Sequence, residues 1–447
     1  MSDLTTTQLP PADPHSPQQM RRVLFSSFLG SMVEFYDFLL YGTAAALVFN
    51  HLFFSNLSPV VGTIASFGTL AAGYIARPIG GVVFGHFGDK IGRKSMLVLT
   101  MSLMGGASFL IGLLPTYATV GWLAPVLLVL LRVVQGFAVG GEWGGAALMA
   151  LEHATEKNRG FAGSFANMGA PAGAVLSTVV LAVVTLLPDD QFLSWGWRVP
   201  FLLSALLVAL GLWVRLKVTE SPLFKEAVSA AEAAPVAKKR FPIVEVLRNN
   251  PLQVLTGAGA GIGAFVLQAL LATFSLTIAV GGGLPRSTAL WLFAAGSFVQ
   301  IFALPAYAAL SDRIGRRPVM IVGCVAAAVL VYPVFLLIHS GTVSLVLVGY
   351  LVGMPIVQAA MYGPLAAFNS EMFATGNRYT GASLGYQLST VLGGGFAPLI
   401  AASLVAGTAA GDGLVRVAIF TAAACLVSAA VIGLAKETNK RDLNALS

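Results

Sequence analysis

Gly85-His86-Phe87-Gly88-Asp89-Lys90-Ile91-Gly92-Arg93-Lys94 returns close to half a chain later as Leu310-Ser311-Asp312-Arg313-Ile314-Gly315-Arg316-Arg317. The two aspartates stand 223 residues apart in a chain of 447. Each copy sets an acid, a glycine and paired cations into a short polar gap between two long apolar runs. Glycine permits a tight turn between helices, and the Asp and Arg can bridge neighbouring helix ends through charge-assisted hydrogen bonds. A second pair agrees: Glu152 with Arg159, and Glu371 with Arg378, repeat at a spacing of 219. Two unrelated motifs at nearly one offset predict a chain made of two similar halves.

Working outward, the runs on either side are too apolar for a water-soluble domain. The chain is 57% hydrophobic and 10% charged, with mean hydropathy +0.82, where a soluble domain carries about a quarter charged residues. A membrane span needs about 20 apolar residues. Such runs fall near 24–47, 59–84, 95–115, 121–148, 160–187, 198–216, 252–280, 287–309, 318–338, 342–368, 379–405 and 415–435. The expected fold is an all-α membrane protein of twelve transmembrane helices in two pseudo-symmetric six-helix bundles. Its parts are a disordered tail over 1–20, a first bundle over 21–216, a central loop over 217–250, a second bundle over 251–436 and a tail over 437–447. Arg21 and Arg22 ahead of an apolar run resemble a signal peptide. However, that run contains Glu34 and Asp37 and no small-residue cleavage site, so it reads as the first span.

Sidedness follows from the cations. With twelve spans, 21 of the 26 Lys and Arg fall on the side of the tails and central loop, among them Arg215. Only Arg198, Arg286 and Arg416 fall opposite, and Arg77 and Arg132 lie within spans. Positive loops stay in the cytoplasm, so both termini are expected there, in a cytoplasmic (inner) membrane. The same distribution accounts for the net charge of +7 without nucleic acid. The repeated motifs, Asp89, Arg93, Asp312 and Arg316 with Glu152, Arg159, Glu371 and Arg378, are expected to latch the cytoplasmic end of the bundle.

Charges in mid-membrane cost roughly 2.5–3.5 kcal/mol each on insertion scales and face a cavity or a partner. Five occur, all in the first half: Glu34, Asp37, Arg77, Arg132 and Glu142. Glu34, Asp37, Phe38 and Tyr41 share one helix face. Two nearby acids with an arginine within reach suit the uptake and release of a proton, with Asp37, joined by Glu34, the expected carrier; a permanent ion pair is the alternative for either acid. Arg77, beside Pro78, Gly80 and Gly81, suits bidentate capture of a carboxylate, or locks helices with Glu34 or Glu142. Glu142 pairs with Arg77 or joins the proton path.

Five further segments carry a resemblance: Glu34-Phe-Tyr-Asp37-Phe38, Arg77-Pro-Ile-Gly80-Gly81, Arg132-Val-Val-Gln135-Gly136 through Gly140-Gly-Glu142-Trp143-Gly144, Trp197-Arg198-Val-Pro200-Phe201 and Glu220-Ser221-Pro222. With the repeated loops they cover about residues 20 to 437. They resemble the metabolite:proton symporters of the major facilitator superfamily. The resemblance implies proton-coupled movement of shikimate, 2-oxoglutarate, citrate or related acids, or of proline and betaine, and an Asp37 that faces Arg132. A proton-exchanging exporter of the same fold is the rival. The proline-containing glycine pattern of antiporters on the fifth span is only partial here, at Gly169-Ala-Pro171-Ala-Gly173. The chain ends about ten residues past its last span without heptads, which disfavours an osmosensing member.

Candidate cavity residues are Arg77, Tyr41 and Gln135 in the first half, and Gln268, Gln358, Tyr362, Tyr386 and Gln387 in the second. Each of the latter is more readily an interhelical hydrogen bond than a ligand contact. The series Gly257-x-Gly259-x-Gly261-x-Gly263 lies inside a span and reads as a flexible or tightly packed helix. Pro355 and Pro364 are expected to bend the tenth span. Neither a phosphate loop nor a metal-spaced His or Cys cluster is present, so no cofactor is expected; the proton gradient is the driving force. The partners expected are the lipid bilayer, a small organic acid and protons, with one chain sufficient and no enzymatic activity.

Overall fold

The computed structural model describes residues 17–217, 242–374, 377–405 and 410–441. The long helices, in chain order, are α1 Pro17–Ala44, α2 Pro59–Ile91, α3 Arg93–Leu113, α4 Leu123–His153, α5 Arg159–Val184 and α6 Arg198–Leu216. The second half adds α7 Pro251–Gly281, α8 Arg286–Ile314, α9 Arg316–His339, α10 Val343–Ser370, α11 Arg378–Val405 and α12 Ala410–Leu434. Eleven of these are long and apolar enough to cross a membrane. The twelfth is α2, whose 33 residues hold one charge, Arg77, before Asp89 near its end. Two details differ from expectation. Helix α1 already begins at Pro17, inside the expected tail, and the expected central loop contains a short helix, Pro242–Asn249. Residues 218–241, including Glu220-Ser221-Pro222, lie outside the described residues.

The repeated loops show why their glycine is needed. Gly92 (φ +114°) is the single residue between α2 and α3, and Gly315 (φ +104°) the single residue between α8 and α9. Side chains rarely tolerate that backbone region. Both turns lie on the face where α1 begins and α12 ends, called here the basic face.

Glycines then set the helix spacing that places the buried charges. Helix α2 lies against α4 so closely that a Cβ at Gly80 would overlap the Phe137 carbonyl, and one at Gly140 the Arg77 carbonyl. Such contact between small residues is how helices associate where lipid offers no hydrophobic drive. The α7 glycine series behaves as expected. Gly257 and Gly261 face Asn369 and Ser389, while Gly259 and Gly263 face Val431 and Cys425. Ser389 and Ser428 donate to the Gly257 and Gly259 carbonyls at 3.0 and 2.7 Å. Helix α10 is interrupted where its prolines predict, with a π-helical turn at Val352–Gln358 and a break between Tyr362 and Leu365. The halves meet where α5 packs on α8 and α11 packs on α2 and α4.

Candidate functional site

At the centre of the first half, Glu34, Asp37 and Phe38 of α1, Arg77 of α2, and Arg132 and Gln135 of α4 line one small cavity with Met104, Gly136 and Val139. All four charged residues are at most 5% exposed. The Phe38 ring is the shared surface. The Arg77 guanidinium lies 4.6 Å from its centroid and the Arg132 guanidinium 4.9 Å. Arg77 also covers Tyr74 at 4.6 Å, and Arg132 covers Tyr41 at 4.2 Å. Cation–π contact of this kind supports a guanidinium in low dielectric without neutralising it.

No carboxylate among the described residues comes within 4.0 Å of either arginine. Arg77 is therefore not a helix lock with Glu34 or Glu142. Asp37 does not pair directly with Arg132 either. It accepts hydrogen bonds from Ser108 (2.6 Å) and from Ser204. Ser108 accepts from Gln135 at 2.6 Å, and Gln135 accepts from Arg132 at 3.2 Å. The two charges communicate through a three-bond chain, so Gln135 is a relay between them. Tyr41, expected at the ligand, donates to Thr69 at 2.7 Å and gives its ring face to Arg132.

Glu142 corrects the expectation most plainly. Its partner is Arg215 of α6, which donates to both carboxylate oxygens and to the Leu97 carbonyl at 2.6 Å; Thr100 adds a bond at 3.0 Å. Arg215, counted from the sequence as a loop cation, is 3% exposed. Gly30 of α1 leaves the space that its guanidinium fills. With Glu142 engaged, Glu34 is the acid left over. One turn beyond Gly30, it interacts electrostatically with Arg77, Glu142 and Arg215, and its Oε2 has no hydrogen-bond partner among the described residues.

The second-half candidates mostly hold helices together. Gln387 donates to the Gly140 carbonyl at 3.1 Å and accepts from Thr390, and Gln358 accepts from Gln300. Gln268 is part-buried on α7 and joins none of these contacts. The Tyr362 hydroxyl bonds that of Tyr386 at 2.8 Å, and the Tyr386 ring stacks on Trp143 across the two halves. Trp143 donates to Asn167 at 3.0 Å, which donates to the Tyr362 carbonyl at 2.7 Å. Phe265 stands edge-on to both tyrosines. Trp143 lies eight residues nearer the basic end of α4 than Gln135, about 12 Å. This aromatic group thus lies between the cavity and the basic face.

Beyond it, the repeated motifs interlock the halves. Asp312 at the end of α8 accepts from the Gly160 and Phe161 amides, the first turn of α5, at 2.8 and 2.9 Å. An anion there meets free N–H groups and the positive end of the helix dipole. Arg316 ties Asp312 (2.6 Å) to Glu371 (3.1 Å). Glu152 pairs across the halves with Arg378 at 3.3 Å, and Arg159 donates to the Arg441 carbonyl at 3.0 Å. The chain following α12 completes the set. Glu437 accepts from the Arg316 and Arg317 amides, capping α9, and Thr438 donates to Glu371 at 2.8 Å. Burial alone would push the Glu437 carboxyl up, but four backbone N–H donors outweigh it and hold it below the usual carboxylate range. The side chains of Asp89 and Arg93 lie outside the described residues.

Comparison with known proteins agrees with this architecture. The sugar (and other) transporter family matches residues 23–250. A shikimate transporter of Escherichia coli (strain K12) is 41% identical over 94% of this chain and 95% of its own length. The inner membrane metabolite transport protein YhjE of the same organism is 37% identical over 98% and 99%. Among solved structures, the proton:xylose symporter XylE bound to 6-bromo-6-deoxy-D-glucose superposes with a TM-score of 0.74 over 96% of this chain and 98% of its own. At 16% identity that likeness speaks for the twelve-helix fold. This chain belongs to the sugar (and other) transporter family, among the metabolite transporters of the major facilitator superfamily, and is a multi-pass membrane transporter rather than an enzyme.

Proposed function

We propose that this transporter imports a small carboxylate-bearing metabolite together with protons by alternating access, with the basic face in the cytoplasm of a cell whose inner membrane it spans. The observation that carries the reading is the cavity itself. Arg77 and Arg132 present buried guanidiniums that no carboxylate among the described residues neutralises, beside Glu34, an acid with an oxygen that none of those residues engages. A ligand carboxylate supplies what the arginines lack, and Glu34 takes up and releases the proton. Asp37, held by Ser108 and Ser204 and linked through Gln135 to Arg132, passes the change in charge to the anion site.

Aromatic faces that could hold a quaternary ammonium are already covered here, Phe38 and Tyr74 by Arg77 and Tyr41 by Arg132. That favours an organic acid over a betaine. The interlocked charges at the basic face and the Trp143–Tyr386 stack correspond to the state closed to the cytoplasm; opening requires both sets to separate. The ligand contacts and the latch come from one chain, which supports a single chain as the working unit. Uptake of labelled shikimate and other carboxylates into proteoliposomes tests the reading. Accumulation is expected only when the outside is the more acidic, and uptake indifferent to that gradient would overturn it.

A further inference from the structure

The charges buried inside the first half can be counted, and the count constrains the substrate. Among the described residues the mid-membrane part of this half holds three guanidiniums, Arg77, Arg132 and Arg215, and three carboxyls, Glu34, Asp37 and Glu142; its other buried charges, Glu152 and Arg159, lie at the basic face, bonded to Arg378 and to the Arg441 carbonyl. The groups facing them from the second half, Tyr362 and Tyr386, are neutral phenols bonded to each other. Three of the six charged groups are committed. Arg215 and Glu142 neutralise each other, Asp37 is held by two serines, and Arg77 and Arg132 rest on aromatic faces with no carboxylate of their own. Glu34 alone keeps an unengaged oxygen.

We infer that this cluster is balanced for one negative charge, so that the transporter carries one monocarboxylate with one proton and moves no net charge. The inference rests on the symport reading above and narrows it. With every acid ionised the empty cluster sums to zero. A proton on Glu34 alone makes it +1, and a monoanion against Arg77 alone makes it −1. Both together restore zero. An unbalanced charge within a closed membrane interior is disfavoured on the order of a hundredfold. The empty and the doubly loaded forms therefore close and cross, and the two half-loaded forms do not. Coupling follows from this without any direct contact between proton and substrate. A dianion would leave the loaded cluster at −1, since the second acid, Asp37, has an oxygen already accepting from each of two hydroxyls.

Proteoliposomes containing the full chain test this, with the potential set by potassium and valinomycin and the pH set independently. The probes are labelled shikimate, 2-oxoglutarate and citrate, which carry one, two and three negative charges. Shikimate should accumulate about tenfold for each unit of pH difference. Its rate should change less than twofold when an inside-negative potential is imposed, with no transport current on a solid-supported membrane. The other two acids at tenfold excess should leave shikimate uptake unchanged. Proton-driven uptake that follows the potential, or preferential uptake of the di- or tricarboxylate, overturns the charge balance but leaves symport standing. If the pH gradient drives none of the three, the symport reading falls and this inference with it.

Discussion

Removing Glu142 should be felt as a loss of stability before anything else, because of what it leaves behind. Glu142 and Arg215 are 1% and 3% exposed, and each oxygen of the acid is a partner of the same guanidinium. Taking one member from a buried pair strands the other charge, which costs about 3–5 kcal/mol. Relocation cannot relieve it. The Arg215 guanidinium fills the notch at Gly30, and its remaining bond is to the Leu97 carbonyl. Glu142→Gln keeps the shape and a carbonyl oxygen for Thr100 or Arg215, so it should fall near 3 kcal/mol, and Arg215→Gln should be similar. The double variant removes both charges, and two amides can bond each other. The sum of the singles should then overstate its loss by at least ~2 kcal/mol. Unfolding of the four proteins in one detergent, followed by intrinsic fluorescence in a double-mutant cycle, gives that coupling directly. Losses that add to within about 0.5 kcal/mol would refute the pairing, and with it the argument that Glu34 is the acid left unmatched.

Three other outcomes follow from the same contacts. Glu34→Gln should lower the initial rate of proton-driven uptake by on the order of a hundredfold, the penalty for an unbalanced charge in the membrane interior; a wild-type rate would remove Glu34 from the proton role. Arg77→Gln should raise the KM for a carboxylate substrate roughly 10- to 100-fold, the worth of a charge-assisted hydrogen bond, and an unchanged KM would mean that the anion sits elsewhere. Glu437→Gln should cost roughly 0.5–1 kcal/mol at pH 7, the lower part of the range for a helix cap, because the residue is exposed. Its folded-state pKa lies below the unfolded value. That contribution is therefore present above about pH 4.3 and disappears as the pH falls through the folded pKa. The gap between wild type and variant should close on acidification, and one that widened would contradict the capping role.

How far the sequence could be read depends on whether a feature is set by the chain itself or by a neighbour in space. Twelve spans and two halves were legible because lipid demands long apolar runs and because Gly92 and Gly315 each meet a backbone requirement that no other residue type fills cheaply. The five charged residues in the spans stand out for the same reason, since nothing else in those runs is polar at such cost. Their pairing was not legible. Arg215 sits in the last turn of α6, where a cation ordinarily reaches water, and only the packing of α1, α3, α4 and α6 turns it inward to Glu142. Ser108 and Ser204 are unremarkable letters in apolar runs until α3 and α6 aim both at Asp37. The latch shows the same division. The repeat named Glu152 and Arg378 as members of separate motifs, seven residues from Arg159 and Glu371, and the fold joins them to each other across the halves. Internal repetition identifies which residues matter at the basic face, but the interface between the repeats chooses the partners. On the proposed reading the latch opens by separating the halves, which breaks the bonds of Asp312 to α5 and of Glu152 to Arg378, while Arg316 keeps Asp312 and Glu371 tied within one half.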